Sequence, residues 1–313
     1  MIRGALIAMG GNSLVKAGER GTIEEQTANV RLTAKNIAQL VGDGWELVIT
    51  HGNGPQVGAA LLRSERSAGE VYSLPLDVCV ASTQSEIGYL LQRSLCDELK
   101  KLGLQRSVAT VLTQVRVSQD DPAFQNPTKP VGPLYSKEVA EQKEKTLGWQ
   151  MVEDPARGFR RVVPSPEPIE ILESKVIGMM MGNGVIVIAL GGGGIPVISY
   201  NNHVMKGVEA VIDKDRASAL LACKLGLKTF IISTDVDNVF LDYRKPTQRP
   251  IERVSADEMQ KFLSQGQFPS GSMGPKVQSA IRFLQNGGEE VIITSSELII
   301  EAVHGQGGTH IVP

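Results

Sequence analysis

The sequence predicts an α/β fold with a mainly parallel sheet covered on both faces, and three observations carry that prediction. Four short apolar runs stop abruptly on glycines or acids. Leu6-Ile7-Ala8-Met9 ends at Gly10-Gly11-Asn12, and Leu47-Val48-Ile49-Thr50 runs into His51-Gly52-Asn53-Gly54-Pro55. Val185 to Leu190 ends in Gly191 to Gly194, and Thr229 to Ile232 ends in Ser233-Thr234-Asp235-Val236-Asp237. Apolar runs bounded in this way suit strands buried on both faces of a parallel sheet. Between them, apolar residues recur at three- and four-residue steps, the spacing of helices that cover such a sheet. Finally, 42% of the 313 residues are hydrophobic but only 4% are aromatic, so the core is built from Val, Ile, Leu and Ala.

The elements follow in order. The first strand begins at about Ile2, with a polar loop at Lys16 to Gly21. A helix over Thr27 to Val41 buries Val30, Ala34, Ile37, Ala38 and Val41 and stops at Gly42 and Gly44. Pro55 suits the first turn of a helix that continues through Val57 to Ser67. Thr83 and Glu86 read as a capping box for a helix ending at Gly103. The β-branched stretch Ser107 to Val117 reads as one strand, and Ile169 to Met181 as one helix. Further helices are expected at Arg216 to Leu225, Ser255 to Leu263 and from the Ser270 to Lys276 loop to Asn286, with a strand at Glu290 to Thr294.

One segment breaks this rhythm. Asp120 to Pro133 holds four prolines, and a second proline-rich stretch spans Pro164 to Pro168. Residues 119–168 therefore read as a subdomain inserted in a single domain over 1–313. Phe124, Tyr135, Trp149 and Phe159 provide it with apolar side chains to pack, and Ser136 to Thr146 is a charged helix.

Composition restricts the function classes. The formal net charge is −2 with no basic block, which argues against nucleic acid or a membrane surface as the main partner. No apolar stretch approaches the ~20 residues needed to span a bilayer. The three cysteines (Cys79, Cys96, Cys223) form no CxxC pair and read as small core residues of a reduced, cytoplasmic protein. The four histidines (51, 203, 304 and 310) lack metal-ligand spacing, so no metal ligands are assigned.

In an open parallel sheet the carboxyl ends of the strands line the ligand-binding edge. Three of those ends are glycine-rich here, and bare backbone N–H groups suit a polyphosphate. Three lysines sit in rigid or glycine-rich contexts: Lys129 in Asn126-Pro127-Thr128-Lys129-Pro130, Lys214 between Asp213 and Asp215, and Lys276 after Gly274-Pro275. Ammonium groups fixed in this way can meet the charge that develops in phosphoryl transfer, which is mostly positioning and electrostatics. There is no Gly-x-x-x-x-Gly-Lys-Ser/Thr loop, and Gly52 to Gly58 misses the dinucleotide fingerprint by one residue.

These stretches resemble the carbamate kinases of the amino acid kinase superfamily. IAMGGNSL, ITHGNGPQVG, PLDVCVASTQSEIGYLLQ, DDPAFQNPTKPVGP, RRVVPSPEP, ALGGGGIPV, GVEAVIDKD, STDVDNVFLD and GSMGPK occur in order from residue 7 to 276. The resemblance implies a three-layer α/β/α sandwich, a protruding subdomain over the active site and a homodimer. It also implies reversible transfer between ATP with carbamate and ADP with carbamoyl phosphate, with Mg²⁺ held mainly by nucleotide phosphates. By position, Gly10, Gly11, Asn12, Gly52 and Asn53 would hold the carbamoyl or phosphoryl group. Lys129, Lys214 and Lys276 would stabilise the transferring charge, and Asp213 would orient the lysines. Ser233, Asp235, Val239 and Tyr243, facing Met273 and Gly274, would border the nucleotide. Many members of the superfamily carry a lysine where this chain has Ala8; Lys129, on the insertion, would replace its charge and reach the site as that lobe closes. Catabolism of arginine, agmatine or purines would supply the substrate. Another small-acceptor acyl-phosphate kinase, or an inactive ligand-sensing homologue, are the competing readings.

Overall fold

The computed structural model describes all residues except 1, 2, 17, 155, 156, 201–203 and 270, together with every side chain among them but that of Asn12. Ile2, His203 and Ser270 thus lie outside the described residues. The main sheet has eight strands. Six run parallel in the order Glu290–Ser295, Thr229–Thr234, Arg3–Met9, Trp45–His51, Ile186–Ile188 and Val108–Thr110. Beyond Glu290–Ser295 lies Thr309–Val312, antiparallel to it, and Arg253–Ser255 closes that edge.

The sheet separates two apolar cores, and the period of two along each strand decides which residue enters which. In Arg3–Met9, Leu6 and Ala8 face one core while Ala5, Ile7 and Met9 face the other. The first core is covered by helices Ser174–Gly182, Lys214–Lys224 and Met273–Gln285, and there Phe230 meets Phe283 edge to face at 5.5 Å. The second is covered by Ile23–Gly42 and Leu76–Lys101. The result is a three-layer α/β/α sandwich. Among the described residues no helix is long and apolar enough to cross a membrane.

Several local expectations are corrected. The first helix begins at Ile23, four residues early, because Thr22 and Glu25 form a capping box there. Thr83 and Glu86 form none: both lie inside Leu76–Lys101, which starts after Pro75 with Leu76 N–H donating to Glu209 Oε1 at 2.8 Å. The expected strand over Ser107 to Val117 breaks at Val111 to Thr113. Gln84 accepts from Thr113 N–H at 2.8 Å and donates to its carbonyl, so the chain turns out of the main sheet. Gln114–Arg116 then joins a second, four-stranded sheet beside Ile195–Tyr200. The expected helix at Ile169 to Met181 starts only at Ser174, because Glu170–Ile171 pairs with Gln114–Arg116 and the Glu173 carboxylate holds both the N–H and the amide of Gln114. Of the cysteines, Cys79 is buried but Cys96 is exposed on the surface of its helix.

Residues Lys129–Tyr135, Gly158–Val163 and Gln150–Asp154 form a separate three-stranded antiparallel sheet with the helix Lys137–Leu147. This unit is tied down at three points. Tyr135 and Lys143 both donate to the Glu65 carboxylate, Lys143 at 2.7 Å. Arg161 stacks on Trp149 and pairs with Glu209. Val211 N–H donates to the Pro164 carbonyl at 2.9 Å.

At the far edge of the main sheet, His310 places Nδ1 3.0 Å from Glu290 Oε1 and Nε2 3.1 Å from the Gly307 carbonyl. Two acceptors favour the doubly protonated ring, and the bond to Glu290 raises the His310 pKa. A raised histidine pKa contributes stability that is fully present below the unfolded value near 6.5 and is lost as pH rises through the folded one. Replacing His310 with Gln is expected to cost about 1 kcal/mol at pH 6 and clearly less at pH 9. Urea denaturation at the two pH values measures the difference.

Candidate active site

The carboxyl ends of Arg3–Met9, Trp45–His51 and Thr229–Thr234 open onto one cleft of about 370 Å³. Its floor is backbone: Gly10, Gly11, Gly52 and Gly54 line it. These glycines answer to packing as well as to access. A Cβ on Gly10 would sit 2.9 Å from the Ser233 carbonyl, and one on Gly52 would sit 3.3 Å from Gly11 N. The strand ends are therefore tightly packed, which leaves backbone rather than side chains at the surface.

The four-glycine loop has a different role from the one its sequence suggests. Gly191 to Gly194 are all buried, and of the four only Gly192 lines the cleft. A Cβ on Gly191 would strike the His51 ring at 2.6 Å, and one on Gly192 the Asn53 amide at 2.2 Å. One on Gly193 would strike the Ile212 carbonyl at 2.2 Å, and Gly192 to Gly194 also have positive φ. This loop is bare so that the walls of the site can lean against it. Asn53, at the start of Gly54–Arg66, donates to the Thr83 hydroxyl at 2.9 Å, which fixes its amide. His51 donates from Nδ1 to the Gly52 carbonyl; burial, aided by the nearby Lys214, holds its pKa down to about 4, so it is a neutral structural ring at pH 7.

The three lysines converge. Lys129, Lys214 and Lys276 all line this cleft although they lie on a strand of the small sheet and at the starts of two different helices. Asp213 caps Lys214–Lys224, accepting from Asp215 N–H at 3.0 Å, and its second oxygen accepts from Lys129 Nζ at 3.1 Å. Lys129 is thus at the cleft wall, held to Asp213. Asp215, which the sequence reading left out, lies between the other two. Its Oδ1 is 2.5 Å from Lys214 Nζ and its Oδ2 is 2.9 Å from Lys276 Nζ, with only 4% of the residue exposed. The sequence signal for it was the second acid of Asp213-Lys214-Asp215, one residue into the helix.

The electrostatics of this group are uneven. Burial pushes the Asp215 carboxyl up, but the two ammonium groups outweigh it and hold the pKa well below the usual carboxylate range. Burial lowers the Lys214 pKa and Lys276 lowers it further, against the pull of Asp215. Lys276 is also penalised by burial, yet Asp215, Asp213 and Asp235 together leave its pKa raised. Lys214, Lys276 and Asp215 taken together are two cations and one anion, a trio with a net positive charge at the cleft wall.

A second pocket of about 250 Å³ adjoins the first, sharing Thr234, Asp235, Ser272 and Lys276. Tyr243 and Met273 line it, along with Phe240 and Phe268. The other three residues expected beside the nucleotide lie behind these walls. Val239 and Ser233 are fully buried, and Gly274 packs so that a Cβ would meet the Pro269 carbonyl at 3.0 Å. Gly11 lines the first pocket beside Asn12, whose side chain lies outside the described ones.

The fold and the site together define an α/β protein built to hold a polyanion at the carboxyl edge of its sheet, with buried ammonium groups at the point of contact. The sequence profile of the amino acid kinase family matches residues 5–295. The chain belongs to that family. It is 49% identical over 311 residues to a carbamate kinase of Thermococcus kodakarensis, covering 98% of each chain. It is 44% identical over 310 residues to a carbamate kinase of Trichomonas vaginalis, covering 98% of this chain and 99% of that one. Among solved structures, the carbamate kinase of Giardia lamblia bound to AMP-PNP superposes with a TM-score of 0.94 at 41% identity, covering 99% of this chain and 98% of that one.

Removing the Asp215 carboxylate would leave two lysines buried without their partner. Asp215→Ala is expected to destabilise the protein by about 3–5 kcal/mol, the cost of breaking a buried ion pair from one side. Added sulfate should raise the melting temperature of the variant more than that of the wild type, because an external anion then replaces the missing charge. Thermal melts with and without sulfate measure both effects.

Proposed function

We propose that this chain catalyses reversible phosphoryl transfer between ATP with carbamate and ADP with carbamoyl phosphate, running toward ATP in catabolism. The observation that carries this reading is the convergence of Lys129, Lys214 and Lys276 with Asp213 and Asp215 on one small, glycine-floored cleft. Relatives at 44–49% identity over nearly the whole chain are named carbamate kinases, which supports the same reading. The adjoining pocket with Tyr243 and Met273 takes the nucleotide base, and a relative is known bound to AMP-PNP.

In the ATP-forming direction, a β-phosphate oxygen of ADP attacks the phosphorus of carbamoyl phosphate. The bond from phosphorus to the carbamoyl oxygen breaks, and carbamate leaves with the electron pair. Neither the attacking phosphate oxygen nor the departing anion has a proton to lose or gain, so no general base is required. The work of the protein is alignment and charge stabilisation. Lys214 and Lys276, fixed on Asp215, meet the equatorial oxygens of the transferring group, while Lys129 approaches from the opposite wall. The N–H groups of Gly10 and Gly11 hold the transferring phosphoryl group, beside Asn12 and Asn53, while Gly52 donates its N–H to the Met9 carbonyl and fixes the turn.

A Mg²⁺ ion accompanying the nucleotide would neutralise phosphate charge. Among the described residues no group of three acidic, histidine or cysteine side chains could cage a metal. Asp235, on the boundary of both pockets, would supply one carboxylate oxygen to an ion that keeps most of its waters. Residues 119–168 act as a lobe that roofs the acceptor end. A homodimer is supported by Tyr72, Val78 and Tyr89, which leave apolar surface exposed at and near the helix Leu76–Lys101.

ATP formation from ADP and carbamoyl phosphate tests the activity directly, and a panel of other acyl phosphates tests the acceptor. An absence of ATP formation with carbamoyl phosphate would overturn the reading. Lys129→Ala should lower turnover by about 10²–10³ with ADP affinity nearly unchanged, the scale of losing one preorganised donor. Lys129→Arg should recover only part of this, because a planar fork does not replace a compact ammonium. The rate should also fall at alkaline pH as Lys214, whose pKa is lowered, loses its proton, and Lys214→Arg should move that limb upward. A pH–rate profile of both proteins measures the shift.

A further inference from the structure

The lysines of the cleft are each already matched to a carboxylate: Lys129 to Asp213, and Lys214 and Lys276 to Asp215. Arg160 is different. It lines the same cleft from the Gly158–Val163 strand of the small sheet, and it makes no ion pair among the described residues. Its Nε donates to the Gly132 carbonyl at 2.9 Å. Gly132 sits at the bulge of Lys129–Tyr135 with φ +78°. A Cβ on Gly58 would meet the Gly132 Cα at 3.5 Å, so the bulge rests against the helix Gly54–Arg66. The root of the guanidinium is therefore fixed, and its two terminal nitrogens remain as a planar pair of donors. Burial lowers its pKa and Arg157 nearby adds to this, against the pull of the Asp154 carboxylate.

The position of Arg160 identifies its ligand. It borders the pocket that holds Gly52, Asn53 and Pro55, and it does not border the pocket that holds Tyr243 and Met273. A guanidinium recognises a planar carboxylate-like group with two parallel hydrogen bonds, which an ammonium cannot do. We propose that Arg160 binds the planar oxygen-bearing end of the small acceptor, carbamate or the carbamoyl group of carbamoyl phosphate, from the lobe side of the cleft. The proposal rests on the function proposed above and adds the residue that selects its acceptor. As the phosphorus–oxygen bond breaks, negative charge grows on the carbamate oxygens, so the contact strengthens toward the transition state. The three lysines and the glycine N–H groups are left to the phosphoryl group, and the division explains why the lobe carries two cations into one small cleft.

The test is steady-state kinetics of Arg160→Met and Arg160→Lys in the ATP-forming direction, with melting curves to check the fold. Arg160→Met should lower kcat/KM for carbamoyl phosphate by about ten- to a hundredfold, the scale of losing a charged hydrogen-bonded pair, while the KM for ADP stays within about twofold. Arg160→Lys should recover only a minor part of the loss. A change in kcat/KM below about twofold, an equal rise in the KM for ADP, or full recovery by Lys would each overturn the proposal. Calorimetric titration of carbamoyl phosphate without ADP separates this result from the activity itself. Binding that depends on Arg160 in a protein that forms no ATP would sink the proposed reaction and keep the site. Turnover that ignores Arg160 would sink the site and keep the reaction.

Discussion

The bridge that Asp215 makes between Lys214 and Lys276 constrains the rest of the site. Burying an ammonium is costly, and two side by side repel as well. One carboxylate with an oxygen facing each makes the arrangement tolerable, yet leaves the group positive. That residual charge is available to a phosphoryl group because the partners are already desolvated and fixed. The bridge also ties together two helices, Lys214–Lys224 and Met273–Gln285, whose packed faces form part of one core. Stability and the charge presented to the cleft therefore depend on the same carboxylate.

The second constraint is the closeness of the strand ends. Gly10 approaches Ser233 and Gly193 approaches Ile212 more closely than a side chain allows, and Gly52 approaches Gly11 tightly. The glycines that look like phosphate-binding loops thus fall into two groups. Gly10, Gly11 and Gly52 face the cleft with their backbone, whereas most of the Gly191 to Gly194 loop is packing behind it. The second group sets the first, because Asn53 and His51 are pressed into place against Gly191 and Gly192.

The small sheet reaches the site through anchored contacts. Glu65 takes Tyr135 and Lys143, and Glu209 takes Arg161 while also receiving the first N–H of the helix Leu76–Lys101. Glu209 stands four residues before Asp213, so the loop that leads to Lys214 also holds the small sheet that carries Lys129. Lys129 lies two residues from Val131, which is paired in register with Arg161. The position of Lys129 is in this way referred to the same loop as its partner Asp213.

The sequence by itself determined the layers. The apolar runs at residues 6–9, 47–50, 185–190 and 229–232 are short and cut by glycine or acid, and such runs have few alternatives to buried parallel strands. It also determined which lysines sit in restricted backbone, since proline and glycine act locally. It did not determine the break at Val111 to Thr113, where the distant Gln84 supplies the hydrogen bonds, nor the extended start at Glu170–Ile171, where Gln114–Arg116 supplies the ladder. The antiparallel C-terminal strand carries no local mark of its direction. Only the tertiary structure decided that Asp215 serves two lysines 1 and 61 residues away, and that Arg160 lines the cleft with no ion pair among the described residues. Secondary structure is written in neighbouring residues and their period, whereas a charge balance is a sum over everything a fold brings within a few ångströms.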